Sequence, residues 1–142
     1  MRGYARVTAR DPDRVRRTTP ETIYFGGIGG RVKLSYRNRK LEKLCCTYAV
    51  MVRELGQRQA DRLAQRMGEL VACPSLAELG RMPGPRLHEL AGDREGQLSV
   101  DLVFPYRLIV EPAVDPVPRT RDGGLRLGKI DQIRILEIAD TH

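Results

Sequence analysis

Apolar residues in this chain change their period once, and that change limits the folds open to it. From position 38 to 71 they return every three or four residues. Beyond position 86 they gather in short runs rich in Val, Ile and Leu, separated by turn residues. Leu41, Leu44, Tyr48, Met51, Val52 and Leu55 predict one amphipathic helix over 38–55, and Gly56 stands where a C-terminal cap belongs. Ala60, Leu63, Ala64, Met67, Leu70 and Val71 form the apolar stripe of a second helix, and the short connection makes the two an antiparallel hairpin. Ahead of them "VKLSY" reads as a short strand, with Ser35 and Asn38 as candidate N-caps. After Pro74, "PSLAEL" permits a helical turn and "GRMPGPR" is a loop. The runs "RLHEL", "QLSVDLVF", "YRLIVEP" and "KIDQIRILEIAD" then predict one largely antiparallel sheet. The Pro- and Gly-containing stretch "AVDPVPRTRDGGLRLG" is expected to be a flexible excursion between the last two strands. The expected class is α+β, a two-helix hairpin packed on one face of a four- to five-stranded, mainly antiparallel sheet.

A chain of 142 residues is long enough for one domain with a real core, plus some loose sequence. No run approaches the roughly eighteen apolar residues of a membrane helix, and no N-terminal segment has a secretory pattern, so a soluble cytoplasmic protein is expected. Cys45 and Cys46 are adjacent and Cys73 stands apart, a set that suits neither a disulfide framework nor a zinc site and predicts reduced structural thiols. Residues 1–31 hold seven arginines against Asp11, Asp13 and Glu21, four of the chain's seven net positive charges. They show no helical or alternating period and end in Gly26, Gly27, Gly29 and Gly30. They are read as a basic, flexible arm with a short strand around Ile23–Phe25, ahead of a domain at 32–142. Such an arm is either a passive tail or a source of extra phosphate contacts.

Strand alternation gathers a set of charged residues. In an antiparallel pair turning near Phe104, Pro105 and Tyr106, the residues Leu98, Val100, Leu102, Leu108 and Val110 face the helices. Ser99, Asp101 and Arg107 then lie on the other face, Arg94 reaches over the sheet edge from the turn "AGDREG", and His88 comes from the adjoining strand. His142 and Asp140, at the end of the last strand, are placed on the same rim. Such a group suits phosphodiester chemistry, in which imidazole moves a proton and arginine holds charge on phosphoryl oxygens. Equally, His88 is a structural histidine and Arg107 a partner of Asp101 or Glu111. Arg58, Arg62 and Arg66 recur along the second helix, either as a phosphate-binding ridge or as a solvated face. No metal triad, Gly-rich phosphate loop, GxSxG elbow or Cys-His pair competes with this cluster, and no cofactor is expected.

The stretches "SYRNRKLEKLC", "RLHELAGDREGQLSVDLVFPYRLIVEP" and "ILEIADTH" resemble, in the same order across 32–142, the HigB-like branch of the RelE/ParE superfamily of bacterial toxins. The resemblance implies a RelE/ParE-like fold and a ribosome-dependent endoribonuclease that cuts mRNA in the decoding site by metal-independent attack of the 2′-OH. By motif position it implies His88, Arg94, Arg107 and His142 as catalytic. Arg86, Asp140, Thr141, Arg58, Arg62 and Arg66 would contact RNA. It implies as partners a helix-turn-helix antitoxin, the ribosome and mRNA. Three positions depart from the family pattern: Thr141 stands where tyrosine is common, Ala91 where lysine is frequent and Leu98 where an aromatic is usual. Two other readings follow from the same resemblance. One is a catalytically weakened toxin acting as antitoxin-binding corepressor; the other is a ParE-like, non-enzymatic inhibitor of DNA gyrase.

Overall fold

The structure, a computed structural model, describes residues 31–141. The expected arm, but for Arg31, lies outside the described residues together with its strand around Ile23–Phe25, and so does His142. Within that range the class is α+β, as the change of period predicts. The elements are β1 (Lys33–Tyr36), α1 (Arg39–Cys46), α2 (Tyr48–Leu55), α3 (Gln57–Ala72), α4 (Leu76–Gly80), β2 (His88–Glu89), β3 (Leu98–Asp101), β4 (Tyr106–Pro112) and β5 (Gln132–Asp140). The strands form one sheet in the order β1-β5-β4-β3-β2, antiparallel except where β1 runs parallel to β5.

Two expectations change, and one, the helix cap, narrows from two candidates to one. The helix predicted over 38–55 is two helices, because Thr47 is extended (φ −127°, ψ 109°) and its carbonyl restarts the ladder by accepting from Val50 and Met51. Apolar spacing continues across the break, since α1 buries Cys45 and α2 buries Met51, so periodicity carried no sign of it. The hairpin itself is α2 and α3, joined at Gly56, whose φ of +85° is available to glycine at little cost. Second, Asn38 is the N-cap of α1, its side chain accepting from the Leu41 N–H at 2.9 Å. Third, the connection after β4 is not a loose excursion. Leu125 and Ile130 enter the core, the Leu76 N–H donates to the Ile130 carbonyl, and Arg119 bridges to Leu125.

The core lies between α2–α4 and one sheet face. Leu63, Leu70, Leu76 and Leu79 from the helices meet Leu98, Val100, Leu108, Val110, Ile133 and Ile135 from the strands, all fully buried. Each such side chain contributes about 1.5–3 kcal/mol by leaving water. Among the described residues no helix is long and apolar enough to cross a membrane.

Under α1 the Tyr36 hydroxyl meets the Cys46 thiol at 3.3 Å. Burial, then the neighbouring Cys46 and Cys45, push the Tyr36 phenol well up, and burial does the same to the Cys45 thiol. Both groups therefore keep their protons more tightly when folded than when unfolded. Their contribution to stability is complete below the ordinary thiol and phenol ranges, about 8.5 and 10, and is lost as pH rises above them. Thermal unfolding followed from pH 7 to 11 is expected to show this alkaline loss, and Tyr36→Phe is expected to flatten part of it. An identical slope in the variant would assign the loss to other groups.

Candidate functional site

The β3–β4 register sets the site. Asp101 lies opposite Arg107, Ser99 opposite Ile109 and His88 opposite Ser99. Cross-strand partners point to the same side, so His88, Ser99, Asp101, Arg107 and Ile109 share the face turned away from the core. The Asp101 N–H donates to the Pro85 carbonyl at 2.7 Å, which brings Arg86 alongside. Arg86 takes a left-handed φ of +48°, a conformation that costs a non-glycine residue roughly 1 kcal/mol and is held here by that bond.

Asp101 thereby sits between two guanidinium groups. Its Oδ1 is 3.2 Å from Arg107 Nε and its Oδ2 is 3.6 Å from Arg86 Nε. Arg107 is mostly covered while Arg86 is largely exposed, so the first pair is the firmer of the two and the second is screened. Two arginines against one carboxylate leave a surplus positive charge. These three residues and His88 line a cleft of about 390 Å³ whose remaining wall is apolar: Met82, Pro83 and Leu87. The combination of a cationic floor, an exposed imidazole and an apolar wall can hold an oxyanion beside a proton-transfer group.

Other expected site residues stand elsewhere. Arg94 lies in a 3₁₀ turn at Gly92–Arg94 and reaches along the same sheet face to Glu137 on β5 (Nη1–Oε2 2.8 Å) and to Gln97 (3.2 Å). It is not part of the cleft wall. Asp140 lies opposite Tyr106, one position beyond the pair of Arg107 with Ala139, so alternation turns it to the other face. The physical reason is a bulge at Leu136: Val110 is opposite Ile135 but Ile109 is opposite Glu137, which reverses the faces of the last β5 residues. Thr141, half-buried, follows immediately. Arg58 is exposed and Arg62 half-buried on α3, away from the cleft wall.

Arg66 is not a member of an exposed ladder. It is 4% exposed, and its guanidinium donates to the Asp101 carbonyl (2.7 Å), the Gly84 carbonyl (2.9 Å) and Glu69 Oε1 (2.9 Å). One buried side chain therefore ties α3 to both the β3 end and the 82–86 loop, the two sides of the cleft. Gly84 suits this approach, since a Cβ there would come within 3.2 Å of Arg66 Nη1. Among the described residues no three His, Cys, Asp or Glu side chains converge as metal ligands. Neither models of protein families nor curated proteins give a match to this chain.

Proposed function

We propose that the protein is a HigB-like toxin with a RelE/ParE-like fold, a cytoplasmic, ribosome-dependent endoribonuclease that cleaves mRNA and is neutralised by a helix-turn-helix antitoxin. The observation that supports this reading is the convergence of Arg86, His88 and Arg107 on one open cleft, with Asp101 fixing the arginines. In the proposed reaction a ribose 2′-OH attacks the adjacent phosphorus. The O2′–P bond forms, the P–O5′ bond breaks, and a 2′,3′-cyclic phosphate and a 5′-OH result. A base takes the 2′ proton and an acid delivers one to the leaving 5′ oxygen, so no other reactant is consumed. His88 serves in one of these transfers, with His142 assigned to the other by the family resemblance. Arg107, held by Asp101, and Arg86 carry the charge that builds on the phosphoryl oxygens. The separate placement of Arg94, ion-paired to Glu137, gives it a part in steering RNA rather than in holding the reacting phosphate.

Induced expression of the wild type and of His88→Ala and Arg107→Ala, with mapping of mRNA 5′ ends, tests the reading. Growth arrest with new 5′-OH ends phased to codons is expected from the wild type alone. Arrest accompanied by gyrase-linked DNA breaks, or no arrest with intact antitoxin binding, would replace the nuclease by the gyrase inhibitor or the corepressor.

A further inference from the structure

Arg86, Leu87 and His88 are consecutive, yet all three line the cleft. A regularly extended chain would turn Leu87 away from its two neighbours. The left-handed φ of +48° at Arg86 departs from that course, and a strained residue persists only where its surroundings fix it. Here they do: the Gly84 carbonyl accepts from Arg66 (2.9 Å) and the Pro85 carbonyl from the Asp101 N–H (2.7 Å). At the start of the same loop the Met82 N–H donates to the Leu79 carbonyl of α4 (3.1 Å). Met82 and Leu87 are half-buried and pack against the core. Met82, Pro83 and Leu87 thus form a preformed apolar wall beside a guanidinium and an imidazole.

An oxyanion alone has no use for such a wall, and a cleft of about 390 Å³ falls within the size range of whole small-molecule sites. A nucleotide carries an anion and a flat, weakly hydrated face on one molecule. We propose that Met82, Pro83 and Leu87 receive the base of the nucleotide whose phosphate is held at Arg86 and Arg107, and that they rank bases by the area of face buried, purine above pyrimidine. The inference rests on the phosphodiester reading of the cleft and adds a base subsite to it. Reading of base edges is not what this wall is built for. Its side chains carry no strong donor or acceptor, and Pro83 and Pro85 have no N–H. The Met82 N–H and the Gly84 and Pro85 carbonyls are already engaged within the protein.

The test titrates the full chain, labelled with ¹³C at the methionine methyls, with adenosine 3′- and 5′-monophosphate, the two uridine counterparts and inorganic phosphate, followed by NMR. Adenine against the wall is expected to move the Met82 methyl signal by its ring current, while Met51 and Met67, 0% and 5% exposed in the core, stay in place. At least one adenosine nucleotide is expected to bind about 5- to 20-fold more tightly than phosphate, with its uridine counterpart between them. Met82→Gln, which keeps the length of the side chain but makes it polar, is expected to erase that advantage without changing phosphate affinity, and Met82→Leu to keep it. Adenosine nucleotides that bind no more tightly than phosphate, or a Met82→Gln chain that retains the full advantage, overturn the proposal. If phosphate binding still weakens in Arg107→Ala in that case, the base subsite alone fails; if it does not, the phosphodiester reading fails with it.

Discussion

Replacing Arg66 by Met is expected to reduce stability by about 2–4 kcal/mol, more than any single truncation on the exposed faces. Methionine can fill the space of the arginine stem but donates nothing. The carbonyls of Asp101 and Gly84 and the Glu69 carboxylate then lose their donor in a site where the side chain was 4% exposed. A hydrogen bond to a charged group contributes about 1.5–3 kcal/mol, and an acceptor left buried and unmade costs about 1–3 kcal/mol. The three bonds share one guanidinium, so their sum is not additive and the range stays below the total of three separate losses. Urea unfolding checks the value: a lower midpoint at unchanged slope is the expected result, and an unchanged midpoint would refute the structural role. Arg66→Lys should fall between the two, because one ammonium is a compact point charge without the planar fork that reaches three acceptors at once. Loosening the 82–86 loop against the β3 end should also weaken the cleft, so any loss of activity in these variants must be judged against their stability.

The sequence signals succeed where a single period governs and fail where two rules meet. Leu98, Val100, Leu108 and Val110 all point into the core, as alternation requires, because β3 and β4 pair without interruption at those positions, and Leu102, just beyond β3, is buried in the same core. Gly56 ends a helix with the positive φ that its lack of a side chain permits. Arg58, Arg62 and Arg66, by contrast, look like one ladder at four-residue spacing, yet each step of four turns about 40° around a helix. Across the eight residues from Arg58 to Arg66 the drift is about 80°, enough to carry Arg66 from solvent to the edge of the stripe of Leu63, Met67 and Leu70. The arginine type hid the burial that the angle implied. Asp140 fails for the corresponding reason in a strand, since one extra residue at Leu136 reverses the alternation, and no residue type announces a bulge. The cleft was partly legible: Arg107 beside Asp101 and His88 on the next strand follow from register. The apolar wall of Met82, Pro83 and Leu87 does not, because loop residues have no period to read.

The largest expected functional effect belongs to His88. In ribosome complexes programmed with a defined mRNA, His88→Ala is expected to slow single-turnover cleavage by about 10²- to 10⁴-fold, the usual worth of one positioned acid or base. The side chain is exposed, so its removal sacrifices little packing, and the melting temperature should stay near that of the wild type. Arg107→Ala should lose about 10²- to 10³-fold by removing a cation aimed at the phosphoryl oxygens. It should also leave Asp101 with only its screened pair to Arg86, so that its carboxylate would oppose the phosphate of the proposed substrate. Asp101→Asn separates these roles: the fork loses its anchor but no new negative charge faces the substrate, so a smaller loss than in Arg107→Ala is expected. If His88 and Arg107 stabilise the same transition state, the double variant should fall short of the product of the single losses, because the first removal already forfeits much of what the second supplies. Cleavage by His88→Ala within a few-fold of the wild type would show that the imidazole moves no proton in the slow step, and the nuclease mechanism built on this cleft would not stand.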